Sequence, residues 1–323
     1  MAMQAIQFPG AHSALDPAGP QAAAIKSWLW DPMYTAAIVT FVLVVVALLW
    51  AAFRRRPSTE PSTDLRHERA LARAVGAATA ITVLVVFAVL ILDGVVGHAS
   101  TGAPPDALRV TVTGHQWWWE VEYPGQSADE VATTANEIHV PIGRPVVIEL
   151  RSTDVIHSLW VPSLGPKRDL IPGRTNTLRL QADRPGVYRG QCAEFCGAQH
   201  AKMAFEVVAQ PPARFAEWLA NQRSSPPPPA DSVAQRGEQA FLNGSCPLCH
   251  AVAGTPAGGN IGPDLSHFAS RGTIAAGTRP NTLGNLSGWI VDPQSMKPGT
   301  QMPPNALTPA DLHALTTYLE SLR

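Results

Sequence analysis

Cysteine is scarce in this chain: four residues in 323, which fall by position into the pairs Cys192/Cys196 and Cys246/Cys249 with none left over. Net charge is scarce too. At −1 with histidines neutral, the chain has no electrostatic footprint for nucleic acid and no reason to seek a strongly charged partner. Residues Met1 to Ala24 lack the basic start and apolar stretch of a signal peptide, so either a signal was removed earlier or the first apolar run acts as its own. Proline and glycine, by contrast, are plentiful at 30 and 25, which excludes an all-helical protein and implies many turns and at least one linker. The length leaves room for two or three domains.

Two apolar runs stand out, Tyr34 to Phe53 and about Ala70 to Leu92. As helices of about twenty residues they would each span roughly 30 Å, the thickness of a bilayer's hydrocarbon core. Ile38 to Leu49 has no polar face, unlike a buried helix of a soluble protein. Arg69 and Arg73 interrupt the second run, so its membrane part begins near Val75. The expectation is a two-helix transmembrane hairpin over 34–93. Its loop near 54–73 carries Arg54, Arg55, Arg56, Arg66, Arg69 and Arg73, whereas only Lys26 precedes Tyr34. The positive-inside rule places this loop in the cytoplasm. The segment 1–33 and everything after Leu92 then lie outside, on the periplasmic face of a bacterial inner membrane.

From about Ala107 to Ala209, within a domain spanning 94–210, short alternating runs replace the long ones. Leu108, Val110 and Val112 alternate, as do Val146, Ile148 and Leu150, with turns at Pro124-Gly125, Ile142-Gly143, Pro172-Gly173 and Pro185-Gly186. Period-two runs broken by turns predict an antiparallel sandwich or barrel. Near its end lies Cys192-Ala-Glu-Phe-Cys-Gly-Ala-Gln-His-Ala-Lys-Met. This loop can turn Cys192, Cys196, His200 and Met203 inward, a soft donor set suited to copper. Two thiolates so close can each bridge two metal ions. One further nitrogen is needed, and His157, at a predicted strand end, is the best candidate. A disulfide or a zinc site would use the same cysteines, but neither calls for His200 and Met203 at ligand spacing.

Pro211 to Arg223 reads as a short helix, and the prolines of Ser224-Ser-Pro-Pro-Pro-Pro-Ala make a semi-rigid extended spacer, so that 211–231 forms a linker. Beyond it, the region 232–323 contains Cys246-Pro-Leu-Cys-His, the attachment signature of a c-type haem. Cys246 and Cys249 would form the thioether bonds and His250 the proximal iron bond. Met302, just before a proline pair, is the preferred sixth ligand, with Met296 as competitor. Gly262-Pro263-Asp-Leu265 reads as a turn, and resembles the loop of class I cytochromes c whose proline packs against the proximal histidine. Trp289, His267 and Arg271 are possible neighbours of haem propionates. Thr308 would cap a terminal helix facing inward through Leu312, Leu315 and Leu319. Haem attachment takes place outside the cytoplasm, in agreement with the charge rule.

Gly114-His-Gln-Trp-Trp-Trp-Glu, His157-Ser-Leu-Trp-Val-Pro-Ser-Leu-Gly, Ile171-Pro-Gly-Arg and the Cys192–Met203 loop together resemble subunit II of cytochrome c oxidase, over Tyr34 to about Trp218. The region after the linker resembles class I cytochromes c. The resemblance implies three parts: a transmembrane helical hairpin, an all-β cupredoxin-like sandwich holding binuclear copper A, and a small all-α cytochrome c domain with one covalent haem c. It implies His157, Cys192, Cys196, His200 and Met203 as side-chain ligands and Glu194 as a carbonyl ligand. In that family the same glutamate's carboxylate reaches magnesium at the interface with subunit I. Trp117 would lie between haem and copper, with Trp118 and Trp119 as packing. The glutamate found in many members at the start of the second span has no counterpart in Arg69 to Ala78, and Glu68 is not assigned its role.

The implied function is electron entry into a haem–copper oxidase. Cytochrome c or another small donor would supply electrons, and subunits I and III and membrane lipid would be the partners. The two spans contain no histidine able to hold a haem or copper, so oxygen reduction and proton pumping belong to subunit I. Alternatives are the corresponding subunit of a copper A nitric oxide reductase, and a copper-delivery or thiol-redox factor. The hairpin and fused cytochrome argue against nitrous oxide reductase, and the copper ligands against a quinol oxidase.

Overall fold

A computed structural model describes residues 13–54, 65–99, 104–125, 127 and 130–323. Positions 1–12 of the N-terminal segment, and Arg55 and Arg56 of the basic loop, lie outside the described residues. The chain divides into two compact units, Ala23–Gly102 and a body that includes residues 13–22 and 104–323.

Helix α1 (Pro20–Ile25), a π-helical turn at Lys26–Trp30 and α2 (Asp31–Phe53) follow one another without a break, and α3 covers Leu65–Ala99. Both long helices reach a mean hydropathy of 2.8. Their leucine, valine, isoleucine and phenylalanine side chains are exposed on every side, as contact with lipid requires. Helix α3 starts inside the loop expected at 54–73, so Arg66, Arg69 and Arg73 are helical. Hydropathy marks where an apolar stretch begins, whereas leucine, alanine and arginine sustain helix before that point.

The next hundred residues form a sandwich. Its strands are β1 (Leu108–His115), β2 (Trp118–Tyr123), β3 (Ala132–Ala135), β4 (Glu137–Pro141), β5 (Val146–Ser152), β6 (His157–Trp160), β7 (Arg168–Leu170), β8 (Asn176–Leu180), β9 (Gly186–Cys192) and β10 (Ala204–Gln210). One sheet has the order β3-β2-β1-β5-β8 and the other β4-β10-β9-β6-β7. The alternating residues Val110, Val112, Ile148, Leu150, Phe205 and Val207 fill the space between them. The sheets are not purely antiparallel: β1 runs parallel to β5, and β4 to β10. Each parallel pair joins strands separated by other elements, and alternation within a strand carries no information about its neighbour's direction. Residues 13–22 belong to this body. The Ala18 N–H donates to Ser163 O (2.7 Å), and the Asp183 N–H to Ala18 O (2.8 Å).

Helix α4 (Pro212–Gln222) lays Trp218 flat on His139, with 3.9 Å between ring centroids. After the prolines come α5 (Ser232–Asn243), a 3-10 turn at Cys246–Leu248, the short β11 (Thr273–Ile274) and β12 (Arg279–Pro280), α6 (Leu283–Val291), α7 (Pro293–Met296) and α8 (Pro309–Ser321). Asp231 caps α5 by accepting from the Val233 and Ala234 N–H groups, and Thr308 caps α8 by accepting from the Asp311 N–H. Leu315 and Leu319 are buried with Phe241 and Leu286, and Leu312 packs at the edge of this core.

Helices α5 and α8 cross at Gly237, where any Cβ would run into the Ala314 carbonyl. Gly237→Val should therefore force the helices apart and destabilise this domain by about 2 kcal/mol, seen as a lowered thermal midpoint at unchanged sandwich stability. A second consequence concerns Glu206, which burial and the neighbouring Glu137 push up to about 7. The folded state then keeps a proton that the unfolded chain gives up above pH 4.5, so stability falls as pH rises from 4.5 through 7. Glu206→Gln should flatten that decline, worth roughly 2 kcal/mol between pH 5 and 8, in denaturant titrations at the two pH values.

Candidate metal and haem centres

The turn between β9 and β10 gathers one set of donors. The Cys192 N–H donates to Met203 O (2.9 Å) and the His200 N–H to Gly197 O (3.1 Å), which closes the loop on itself. Gly197, at φ 110°, adopts a left-handed backbone that a side chain would strain. The Cys192 and Cys196 sulfurs lie 3.8 Å apart as free thiols. Around them are His200 Nδ1 at 3.6 Å and Met203 Sδ at 3.7 Å from Cys196, and the Glu194 carbonyl oxygen at 3.2 Å from Cys192. The Glu194 side chain itself is exposed.

His157 comes from β6, which pairs with β9 so that Leu159 stands opposite Cys192. The ring is fully buried. Its Nε2–H donates to Asp154 Oδ1 (2.8 Å), which turns Nδ1 toward Cys192 Sγ at 3.9 Å. A carboxylate holding the far nitrogen of a histidine is the usual support for a metal-binding imidazole. Burial opposes a charge on His157, but the hydrogen bonds to Cys192 and Asp154 outweigh it and raise its pKa. The neighbouring Cys196 thiol holds Cys192 well below the ordinary thiol range, while Cys196 itself is pushed up. With two imidazole nitrogens, a thioether and a carbonyl in reach, the donors fit copper; the thioether is foreign to zinc sites.

A second set lines a cavity of about 290 Å³ in the terminal domain, walled by Cys246, Cys249, His250, Trp289 and Met302. The His250 Nδ1–H donates to Pro263 O (2.7 Å), which frees Nε2 for a metal. Burial lowers the pKa of His250, so the ring is neutral, as ligation needs. A Cβ on Gly262 would come within 2.7 Å of the His250 ring, so only glycine allows the loop to back the imidazole this closely. Two thiols, an imidazole and a thioether around an apolar space fit a covalently attached haem. Of the two methionines, Met302 lines the cavity, whereas Met296 packs with its methyl against Gly288. Trp289 and Arg271 also line it. His267 does not: its ring bonds Ser224 O (2.9 Å) at the linker.

The two sets meet at one carbonyl. The Trp117 indole N–H and the Gln116 amide both donate to Cys196 O, at 2.8 and 2.7 Å, and both residues also line the haem cavity. Trp119 is buried among His157 and Phe205 as packing. Trp118 stacks on His115 and lines the cavity as well, so it is more than filler. Sequence reasoning had no place for Gln116 or Asp154. Asp154, three residues before a suspected ligand, was visible as a carboxylate partner; nothing local marked Gln116.

A cupredoxin-like sandwich with a thiolate–imidazole–thioether loop, joined to a c-type cytochrome domain and following two apolar helices, defines a membrane-anchored electron-transfer protein. Comparison with known proteins narrows the class. Residues 125–210 match the family described as cytochrome c oxidase subunit II, periplasmic domain, and residues 234–323 match cytochrome c. Cytochrome c oxidase subunit 2 of Alkalihalophilus pseudofirmus is 36% identical over 321 residues, covering 96% of this chain and 91% of the relative. The proteins of the same name from Bacillus sp. strain PS3 and Bacillus subtilis are 38% and 33% identical, over 66% and 68% of this chain and 62% and 63% of their own lengths. The chain belongs to the cytochrome c oxidase subunit 2 family, and so to an oxidoreductase complex that uses copper and haem.

The methionine geometry is open to a direct check. Met302→Ala should change the reduced haem spectrum to that of an altered or open axial site, and Met296→Ala should leave it unchanged. The reverse pattern would move the ligand to Met296.

Proposed function

We propose that this chain is the electron-entry subunit of a haem–copper cytochrome c oxidase, taking electrons from cytochrome c or another small donor and passing them toward the haem of subunit I. The centres it offers for this are a covalent haem c on Cys246, Cys249, His250 and Met302, and a binuclear copper A site on His157, Cys192, Cys196, His200, Met203 and the Glu194 carbonyl. When bound, these groups supply reversible one-electron chemistry at two points of one polypeptide. Oxygen reduction and proton pumping are left to subunit I.

The observation that carries this reading is the double use of Trp117. Trp117 lines the haem cavity while its indole N–H holds the carbonyl of a copper-loop cysteine, so one residue borders both sets of donors. The rest of the chain keeps the copper donors still. Cys192, Cys196 and Met203 are buried, and the two strands that flank the loop are paired along their length. Rigid, water-poor donors change little when charge arrives or leaves, which lowers the cost of each transfer. The exposed Glu194 carboxylate is free to reach a magnesium ion shared with subunit I. Subunit III and lipid around α2 and α3 complete the surroundings. Residues 13–22 bond to the sandwich, which supports an arrangement with both termini and both redox domains on the periplasmic side of the inner membrane.

Purified full-length protein should contain two copper ions and one covalent haem per chain. Cys196→Ser should abolish the near-infrared absorption of the copper pair while the haem stays attached. Survival of that absorption, or zinc in place of copper, would overturn the assignment.

A further inference from the structure

The terminal domain touches the sandwich along a seam that joins one ligand loop to the other. Gln199 and Lys202, beside His200 and Met203, donate to the carbonyls of Pro298 and Met296, the latter at 2.6 Å. The Ala204 N–H donates to Ala276 O (3.0 Å), and the Gly272 N–H to Glu137 Oε1 (2.7 Å). At the centre of this seam sits Lys297, only 2% exposed. Its Nζ donates to Trp117 O (2.6 Å) and to Ala275 O (3.2 Å). Both acceptors are carbonyls, one from each side of the seam.

A buried ammonium satisfied by carbonyls alone is expensive to keep. Burial pushes Lys297 down to about 7, with Cys196 acting to raise it and Lys202 to lower it. Stability alone would favour a methionine or leucine at such a place, so an amino group that donates to one carbonyl on each side of the seam calls for another explanation. The backbone opposite is arranged for it. Ala275 and Ala276 hold φ of 53° and 57°, a left-handed conformation that alanine rarely adopts. In it, the Ala275 carbonyl meets Lys297 and the Ala276 carbonyl meets the first residue of β10.

We propose that Lys297 is a positioning residue for electron transfer between the two centres: its ammonium pins the segment leading to Met302 onto the Trp117 backbone and so holds the haem cavity against the copper loop. The inference rests on the relay reading above, but adds a role for a side chain that ligates nothing. It also makes the proline spacer a connector between docked bodies, not the element that sets their distance.

The test uses full-length protein loaded with copper and haem. In Lys297→Met, the Ala204 and Gly272 amides should exchange with deuterium at least about tenfold faster, the scale expected from losing charge-assisted hydrogen bonds. Amides in the sandwich interior, such as those of Val112 and Ile148, should keep their protection. Haem-to-copper transfer after pulsed reduction should slow by a similar factor with both absorption spectra intact. Lys297→Gln, which keeps a donor without the charge, should fall between the two and serves if the methionine variant does not fold. Unchanged exchange at the seam would overturn the proposal, as would slowed transfer across a seam that stays closed. Failure of wild-type protein to pass electrons from haem to copper would count against the relay itself, while the exchange data would still decide the role of Lys297.

Discussion

The Cys196 carbonyl is the contact on which the rest of the architecture depends. It accepts from Trp117 and Gln116, while the sulfur of the same residue faces Cys192, His200 and Met203. One residue is therefore a donor to the proposed copper pair on one side and a hydrogen-bond anchor for the wall of the haem cavity on the other. Buried hydrogen bonds of this kind are costly to break without replacement. Displacing the loop would leave an indole and an amide unpaired, and displacing Trp117 would open the cavity. The two centres hold each other's geometry.

Much of this was legible in the sequence because the chemistry is local. Cys192 to Met203 and Cys246 to His250 each fit within one loop, so spacing alone named most of the donors. His157 needed a strand prediction, and its buried place beside the loop follows from β6 lying next to β9, where Leu159 stands opposite Cys192. The helix cap at Thr308 was equally local: a short polar side chain ahead of an apolar periodic run. What could not be read is long-range. The parallel pairing of β1 with β5 and of β4 with β10 joins residues far apart in the chain. The seam around Lys297 joins residues 180 positions apart, with a lysine that looks in sequence like any solvated surface charge.

The polyproline stretch is where sequence logic and structure differ most usefully. Read alone, four prolines between two domains describe a semi-rigid extended spacer that tethers the haem at high local concentration. Yet His267 bonds the Ser224 carbonyl at the start of that stretch, and the Arg223 guanidinium donates to Pro124 O. Trp218 of the preceding helix is already stacked on the sandwich. The chain enters the linker from one anchored point and meets the cytochrome domain at once. A stiff connection between docked bodies lowers the entropy lost in docking, because few relative orientations remain to be given up.

That economy bears on why a charge is retained where an apolar residue would be cheaper. A seam built only from apolar contacts tolerates sliding, since such contacts have no preferred direction. Hydrogen bonds to carbonyls have direction and length, and a cation strengthens both constraints. Here the carbonyls belong to Trp117, which lines the haem cavity, and to Ala275, held in a left-handed turn that meets the lysine.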